Sequence, residues 1–178
     1  MNKQEIMNLV SVLGKMKTLK RNGWLKRGVK DVESDAEHSF STAFLVMLLA
    51  PQELDNLKCL KMALIHDLPE VLCGDFVPGE FSLKEKADLE QNAMRQIADN
   101  IAYTEIADLF DEFLAQETPE AKFVNAIDQL DNVFTARFYE DNVHKPLVRE
   151  FWETAFPAVQ QLPEEEGKKL LRLLVALS

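Results

Sequence analysis

The spacing of apolar residues is helical along most of this 178-residue chain, and this periodicity constrains the fold more than any other feature. Apolar side chains recur three or four positions apart in residues 4–19, 84–101, 103–116, 119–143, 145–160 and 163–177. In the first of these helices they form one stripe that we expect to be buried, made of Ile6, Leu9, Val10, Leu13 and Met16. No segment shows the alternation of β-branched residues that favours a strand. We therefore predict an all-α fold, a single helical domain over residues 1–178.

Two more helices are predicted between residues 34 and 68. Ser34 and Glu37 have the spacing of a capping box, so a helix should begin there and end at Pro51. Its apolar residues share one face: Phe40, Ala43, Phe44, Met47 and Leu48. The second helix should cover residues 53–68 and end or kink before Pro69. Its apolar residues in register are Leu57, Leu60, Leu64 and Leu68.

Two segments lack a clear period and are predicted to be loops. Residues 21–33 (RNGWLKRGVKDVE) contain two glycines, and residues 74–82 (GDFVPGEFS) are rich in glycine and proline. Neither has the composition of a linker that would divide the chain into domains.

The charge of the chain is unevenly distributed. The formal net charge is −10, yet residues 6–30 contain seven basic residues and no acidic ones. An acidic body argues against binding a nucleic-acid polymer or a membrane surface, whereas the basic segment is a candidate for holding a small anion. A solvated helix face followed by a basic loop explains the same segment and stays open as the alternative.

The sequence contains two cysteines, which is too few for a disulfide framework. It shows no signal-peptide pattern and no run of membrane-spanning length. We therefore expect a reduced, cytoplasmic protein.

Residues 62–76, MALIHDLPEVLCGDF, carry the most informative motif. His66 and Asp67 are adjacent at the end of an apolar helical run, in a chain with three histidines. His38 lies in the first turn of the helix that Ser34 caps. Imidazole nitrogens and carboxylate oxygens suit a divalent cation such as Mn, Co, Mg, Fe or Zn. Asp128 is the best candidate for a fourth ligand, because it interrupts a row of apolar positions: Phe123, Val124, Ile127, Leu130, Val133 and Phe134.

Each of these residues also has a simpler explanation. A single histidine on a helix is more often a hydrogen-bonded structural residue than a ligand, Asp67 could mark a helix end, and Asp128 could pair with Arg137. The joint arrangement favours a metal site, because it uses two of the three histidines. The third, His144, is expected to be structural.

Several short motifs carry a specific resemblance. EHS at 37–39, IHDLPE at 65–70, GD at 74–75 and AIDQLD at 126–131 resemble the H…HD…D signature of the HD-domain metal-dependent phosphohydrolases. RNGW at 21–24, ESDAEHS at 33–39, HDLPEVLCGD at 66–75, PEAKFVNAIDQLDN at 119–132 and YEDNVHKP at 139–146 resemble the branch of YfbR-type and HDDC2-type 5′-deoxynucleotidases. The likeness extends from about residue 8 to residue 155.

This resemblance implies a helical HD domain with its metal-site core at about residues 33–135. The residues that match the metal ligands are His38, His66, Asp67 and Asp128, and they imply one divalent cation. A bound cation of this kind lowers the pKa of a water ligand and neutralises charge on phosphoryl oxygens. The two-metal centres of related phosphodiesterases use additional histidines, and only His144 is left over in this chain. The resemblance therefore favours phosphomonoester chemistry at a single ion.

The same resemblance implies roles around the substrate. Glu70 matches a glutamate of acid–base function, and Asp75 matches an acid that organises the substrate or the water. Arg21 and Trp24 match residues that approach the phosphate and the sugar, with Trp24 leaving no room for a 2′-hydroxyl group. Arg27 is a second candidate for binding the phosphate.

These observations predict an enzyme that releases phosphate from deoxyribonucleoside 5′-monophosphates by attack of a metal-bound water. Two alternatives stay open: hydrolysis of another small phosphate ester or a nucleoside pyrophosphate, and a non-catalytic helical binding module. The resemblance also implies a homodimer. The C-terminal helices at 145–177 should pack or dimerise through apolar residues, namely Phe151, Trp152, Phe156, Leu170, Leu171, Leu173 and Leu174.

Overall fold

A computed structural model of the chain describes residues 1–76, 79, 81–143 and 146–177. The all-α fold class is confirmed: over these residues the structure has helices and one isolated bridge, between Lys20 and Ser34. The helices are α1 (Lys3–Met16), α2 (Asn22–Lys26), α3 (Asp35–Leu49), α4 (Asn56–Ile65), α5 (Glu70–Cys73), α6 (Leu83–Asn100), α7 (Glu105–Ala115), α8 (Pro119–Val143), α9 (Leu147–Gln160) and α10 (Glu164–Leu177). His144 and part of the 74–82 loop lie outside the described residues.

The chain forms two compact units, one of residues 1–40 and 64–114 and one of residues 41–63 and 115–178. In the first unit α1 packs against α5 and α6, and α5 also packs against α6. In the second unit α9 packs along α8, and α10 contacts both. The organisation as one domain stays a prediction.

Side-chain caps fix the starts of three helices. The capping box expected at Ser34 is present, because Glu37 accepts from the Ser34 backbone N–H at 2.7 Å and donates its own N–H to Ser34 Oγ at 3.3 Å. The Ser34 hydroxyl also donates to the Glu37 carboxylate at 2.8 Å, and the two bonds that this carboxylate accepts from Ser34 lower the pKa of Glu37. Equivalent boxes begin α1 at Asn2 and α6 at Ser82. The cap of α3 matters most here, since it sets the orientation of the first turn that carries His38.

Two predicted element boundaries were wrong. Residues 21–33 are not entirely loop, because α2 covers Asn22–Lys26. The predicted helix over 53–68 is shorter and is interrupted: α4 ends at Ile65, and after a turn the short helix α5 begins at Glu70. Pro69 lacks a backbone N–H, so a continuous helix would lose a hydrogen bond there, and a turn replaces it.

The expected burial of the α1 stripe was also wrong. Ile6 is 48% exposed, Val10 57% and Leu13 50%, while Met16 and Val12 are the buried residues of α1. The apolar faces of the next two long helices behave similarly: Phe40, Phe44, Met47, Leu48, Leu57 and Leu64 are all exposed. Helical spacing shows which residues share a face, but it does not show whether that face meets the chain's own core or solvent.

The core of the second unit follows the predicted pattern of α8. Phe123, Val124, Ile127, Leu130 and Val133 are all buried, and Leu170 and Leu174 of α10 join them. The other apolar residues expected on the C-terminal helices are half-buried. Packing within the chain therefore accounts for them. Among the residues described, no helix combines the length and the apolar character needed to cross a bilayer.

Candidate active site

The structure brings His38, His66 and Asp67 together in the first unit. His38 Nε2 lies 3.1 Å from His66 Nε2. Asp67 Oδ2 lies 3.6 Å from His38 Nε2 and 3.4 Å from His66 Nε2. One potential ligand atom from each residue thus converges, and the three residues come from two segments about thirty positions apart in sequence.

These separations fit a shared divalent cation. With metal–ligand distances of about 2.1 Å, neighbouring ligand atoms are about 3.0 Å apart in octahedral geometry and about 3.4 Å apart in tetrahedral geometry. At 3.1 Å one imidazole can donate its Nε2–H to the Nε2 of the other, and both nitrogens can bind the same ion once neither carries that proton. The donor set therefore fits a cation of the Mn, Co, Mg, Fe or Zn class.

Local structure positions the three side chains. His38 is fully buried in the first turn of α3, one turn after the Ser34 cap. His66 and Asp67 occupy the turn between α4 and α5, which Pro69 enforces. The His66 ring packs edge-on against Phe113 of α7, with ring centroids 5.9 Å apart. A helix cap, a proline turn and an aromatic contact thus limit the orientations available to the imidazoles.

Arg21 contacts the carboxylates of Asp67 and Glu33, and Trp24 contacts Glu33. Arg21 Nη1 donates to Asp67 Oδ2 at 2.6 Å, and Arg21 Nε lies 3.7 Å from Glu33 Oε1. The Trp24 indole is only 2% exposed, and its Nε1–H donates to the same Glu33 oxygen at 3.0 Å. That N–H is therefore already bonded to Glu33, and the role of Trp24 beside the sugar stays a prediction.

Glu70 is buried beside the cluster as the first residue of α5. It is only 5% exposed, and its Oε2 has no hydrogen-bond partner within the described ranges. Burial, followed by the charges of Asp67, Asp75 and Asp35, raises the pKa of Glu70 well above its usual value. Glu70 is therefore not a solvent-facing residue after the end of α4.

Asp75 connects the segment after α5 to the start of α2. Its carboxylate accepts a short hydrogen bond from the Asn22 backbone N–H, and its carbonyl accepts from Asn22 Nδ2 at 2.8 Å. Burial raises the pKa of Asp75, although Arg21 and the Asn22 N–H act in the opposite direction. Asp75 therefore helps to hold the Arg21–Trp24 segment next to the residues that follow Asp67.

Arg27 has a local partner in the structure. Its Nη1 donates to the carbonyl oxygen of Gly23 at 2.6 Å, within and just after α2. This bond stabilises the end of a five-residue helix. A role in binding phosphate stays a prediction.

Asp128 lies in the second unit, in the middle of α8, and its role as the fourth ligand stays a prediction. It is half-buried, and its carboxylate accepts from Gln129 Nε2 at 2.9 Å and from Asn132 Nδ2 at 3.3 Å. Asp131, one turn further along α8, is only 3% exposed and is therefore not a surface residue.

Sequence reasoning missed Asp35 as a residue of this region. It is fully buried at the start of α3, and neither carboxylate oxygen has a hydrogen-bond partner in the part of the chain that the structure describes. Burial and the charge of Asp67 raise the pKa of Asp35 to about 7, although Arg21 and His38 lower it. In the sequence Asp35 is the residue after a cap, where aspartate is common, so no pattern distinguished it.

Glu33 and Lys86 were missed as well. Glu33 is the first residue of ESDAEHS at 33–39 and precedes the capping box, but no pattern in the sequence gave it a role of its own. Lys86 lies on α6, where its Nζ is 3.1 Å from Glu90 Oε1. Burial opposes the charge of Lys86, but Glu90, Glu70 and Asp67 raise the pKa of Lys86. Only the tertiary structure shows that this lysine is a cation near the acidic cluster.

Comparison with known proteins places these residues in a wider context. A family model described as HD domain matches residues 13–166. The 5′-deoxynucleotidase HDDC2 of Homo sapiens is 30% identical over 186 aligned positions, covering 98% of this chain and 91% of the relative. The 5′-deoxynucleotidase HDDC2 of Dictyostelium discoideum is 36% identical over 151 positions, covering 78% and 80% of the two chains.

A solved structure agrees with the fold over nearly the whole length. The crystal structure of the PH0347 protein from Pyrococcus horikoshii OT3 is similar with a TM-score of 0.84 and 32% sequence identity, covering 97% of this chain and 99% of that one.

Proposed function

The chain belongs to the HD domain family, and on this premise we propose that it hydrolyses deoxyribonucleoside 5′-monophosphates to the nucleoside and phosphate. This reaction is that of a metal-dependent nucleotide phosphohydrolase. The observation that carries it is the arrangement at Asp67. One oxygen of this carboxylate faces both imidazoles at 3.4–3.6 Å and also accepts from Arg21, whose other partner holds Trp24. Asp67 therefore contacts both the candidate cation ligands and Arg21, the candidate phosphate-binding residue.

His38, His66 and Asp67 would hold one divalent cation, with Asp128 as the proposed fourth ligand. When bound, such an ion neutralises phosphoryl charge and lowers the pKa of a water ligand to about 7. The choice among Mn, Co, Mg, Fe and Zn is left open by the donor set, since imidazole and carboxylate bind all five.

Arg21 would bind the phosphate through the donors of its planar guanidinium group, which match phosphate oxygens in geometry. Glu33 limits how far this group can swing, because it contacts Nε while Asp67 contacts Nη1. The indole of Trp24, held by the same Glu33, would form the wall beside C2′ of the sugar. A 2′-hydroxyl placed against that wall would lose its water without gaining a hydrogen bond.

Glu70 is proposed to orient the attacking water or to pass a proton to the leaving 5′-oxygen of the ribose. Support comes from its burial beside Asp67 and from the unpartnered Oε2 among the described residues. Asp75 is proposed to organise the site from the other side by fixing Asn22 and so the Arg21 segment. Arg27 remains a secondary phosphate candidate.

A second enzymatic function, hydrolysis of another small phosphate ester or a nucleoside pyrophosphate, uses the same cation ligands. The Glu33–Trp24 contact favours a nucleotide over a small phosphate ester without a sugar, because a fixed apolar wall is useful only for a substrate with a sugar to select. The nucleoside triphosphate in the assay below separates the monophosphate from a nucleoside pyrophosphate. A non-catalytic binding module is disfavoured, since His38, His66 and Asp67 converge and Glu70 is buried among acids.

We further propose a homodimer, formed through the outward face of α3 rather than the C-terminal helices. Phe44 is 46% exposed, Met47 59% and Leu48 58% on this face. Three adjacent large apolar side chains on one exposed face are typical of an interaction surface. A cytoplasmic location is also proposed, supported by two cysteines, Cys59 and Cys73, that are both free thiols.

The test is phosphate release by metal-stripped protein resupplied with Mn, Co, Mg or Zn. The substrates are matched deoxyribo- and ribonucleoside 5′-monophosphates, with a nucleoside triphosphate and a simple aryl phosphate as further substrates. We expect metal-dependent turnover that favours deoxyribonucleotides and is lost in Asp67→Ala. The exposed Asp88 of α6 gives the matched control, Asp88→Ala, which should keep full activity. Equal turnover of ribo- and deoxyribonucleotides would refute the proposed role of Trp24.

A further inference from the structure

Asp35 is a buried acid whose carboxylate has no hydrogen-bond partner among the described residues. It is 0% exposed, and neither Oδ1 nor Oδ2 has a hydrogen bond to any residue that the structure describes. An unpaired carboxylate in a protein interior is strongly unfavourable in its charged form. Such a residue is retained where a ligand or a charge change compensates for its burial.

The position of Asp35 relates it to the candidate cation ligands. It precedes His38 by three residues in α3, so the two side chains are neighbours on one side of the helix. The hydroxyl of Ser39, on the same side of this turn, is also buried with no hydrogen-bond partner among the described residues. The groups that influence the charge of Asp35 are Asp67, Arg21, Asp75 and His38.

The local charge balance calls for a further cation. Asp35, Asp67, Glu70 and Asp75 influence one another electrostatically, and Arg21 is the cation common to all three shifted members of this set. Arg21 Nη1 is bonded to Asp67, and its Nε faces Glu33. Lys86 of α6 also influences Asp67, Glu70 and Asp75, but its Nζ is paired with Glu90. A divalent ion at His38, His66 and Asp67 would add positive charge to this set of carboxylates.

We propose that Asp35 is an additional acidic residue of this cation site and that its carboxylate strengthens cation binding alongside His38, His66 and Asp67. This inference rests on the proposed function only in assuming that a divalent cation binds there. The ligand atoms that converge are those of His38, His66 and Asp67, so Asp35 acts through its charge or through a water ligand of the cation.

A purely local role is the competing interpretation. An aspartate in the first turn of a helix interacts favourably with the helix dipole. If that were the whole role of Asp35, its neutral isostere would lower the stability of the metal-free protein and leave cation affinity unchanged. The two interpretations therefore differ in a measurement that needs no enzymatic activity.

The experiment is calorimetric titration of Mn²⁺ into the full-length, metal-stripped chain. Wild type is compared with Asp35→Asn, with Asp35→Ser and with the matched surface control Asp88→Asn. Groups that support metal ligands typically change metal affinity by about 10–100-fold. We expect Kd to rise by at least about tenfold in both Asp35 variants and to stay unchanged in the control. Circular dichroism of each variant confirms folding, and Asp35→Ser carries the test if Asp35→Asn does not fold.

The outcomes separate this inference from the proposed function. Wild-type affinity in both folded Asp35 variants would overturn the inference and leave the metal-dependent hydrolase intact. Failure of the wild type to bind Mn²⁺, Co²⁺, Mg²⁺ or Zn²⁺ would remove the cation site itself and, with it, both proposals. Weaker binding in Asp35→Asn with unchanged binding in Asp88→Asn is the result that supports Asp35.

Discussion

Replacing Asp35 by asparagine should change how the stability of the metal-free protein depends on pH. Burial raises the pKa of Asp35 from 3.8 to about 7, and the carboxylates of Asp67 and Asp75 contribute. A folded-state pKa above the unfolded value means that protonation favours the fold. The stability that this proton provides is therefore present below about pH 4 and is lost as the pH rises to about 7.

The magnitude follows from the size of the shift. About three pKa units at about 1.4 kcal/mol each give roughly 4 kcal/mol as the upper limit. Asparagine has the same shape and does not titrate. The free energy of unfolding of Asp35→Asn relative to wild type should therefore increase by up to roughly 4 kcal/mol between pH 4 and pH 8, with the variant gaining as the pH rises.

Urea unfolding of metal-stripped protein, followed by circular dichroism at several pH values, measures this difference. Asp88→Asn serves as the control and should run parallel to wild type. Glu70 and Asp75 also have raised pKa values, and the charge of Asp35 is one cause of the shift at Glu70. The difference between wild type and Asp35→Asn therefore includes the smaller shift of Glu70 in the variant, and Asp88→Asn shows the pH dependence that is unrelated to Asp35. A constant difference between wild type and Asp35→Asn across this range would refute the reasoning, because it would mean that Asp35 titrates equally in the folded and unfolded states.

Three further predictions follow from the site and the surface. Glu33→Gln keeps an acceptor for the Trp24 N–H but removes the negative charge facing Arg21. We expect kcat/KM for deoxyribonucleotides to fall by about tenfold and the Kd for Mn²⁺ to stay unchanged. A changed Kd would contradict the idea that Glu33 positions Arg21 without supporting the cation. Glu70→Gln should lower kcat by about 10²–10⁴-fold with KM nearly constant in steady-state assays, and an active variant would exclude acid–base work by Glu70. Phe44→Glu should convert the proposed dimer to a monomer in light scattering, and a monomeric wild type would refute the α3 interface.

The acidic cluster also explains why the Arg21 segment is tied down at several points. Asp67 and Glu33 contact the guanidinium group, and Asp75 contacts the backbone one residue later. A flexible arginine loop would have to be ordered each time a phosphate binds. Carboxylates that already orient the loop reduce that entropic cost, at the expense of competing with the phosphate for Arg21.

The sequence by itself determined the helical architecture and the identity of the cation-site candidates. Helical periodicity and capping residues act over three or four positions, so α3, α6 and α8 were predicted with boundaries close to those observed. The adjacency of His66 and Asp67 and the preceding His38 likewise marked a candidate site, because such pairs are unusual in a helix that only needs to pack.

The tertiary structure decided what local patterns cannot encode. The residues of α1 and α3 share apolar faces in the sequence, yet Val10 and Phe44 are exposed while His38 and Asp35 are buried. Periodicity gives the direction of a face relative to its own helix, but burial depends on which other helix covers it. Glu33 was hidden because its contacts with Arg21 and Trp24 arise only when residues 21–33 fold back on themselves. Asp35 was hidden for the same physical reason: an aspartate after a helix cap is ordinary until the fold buries it and brings Asp67 and Asp75, which are distant in sequence, close enough to influence its charge.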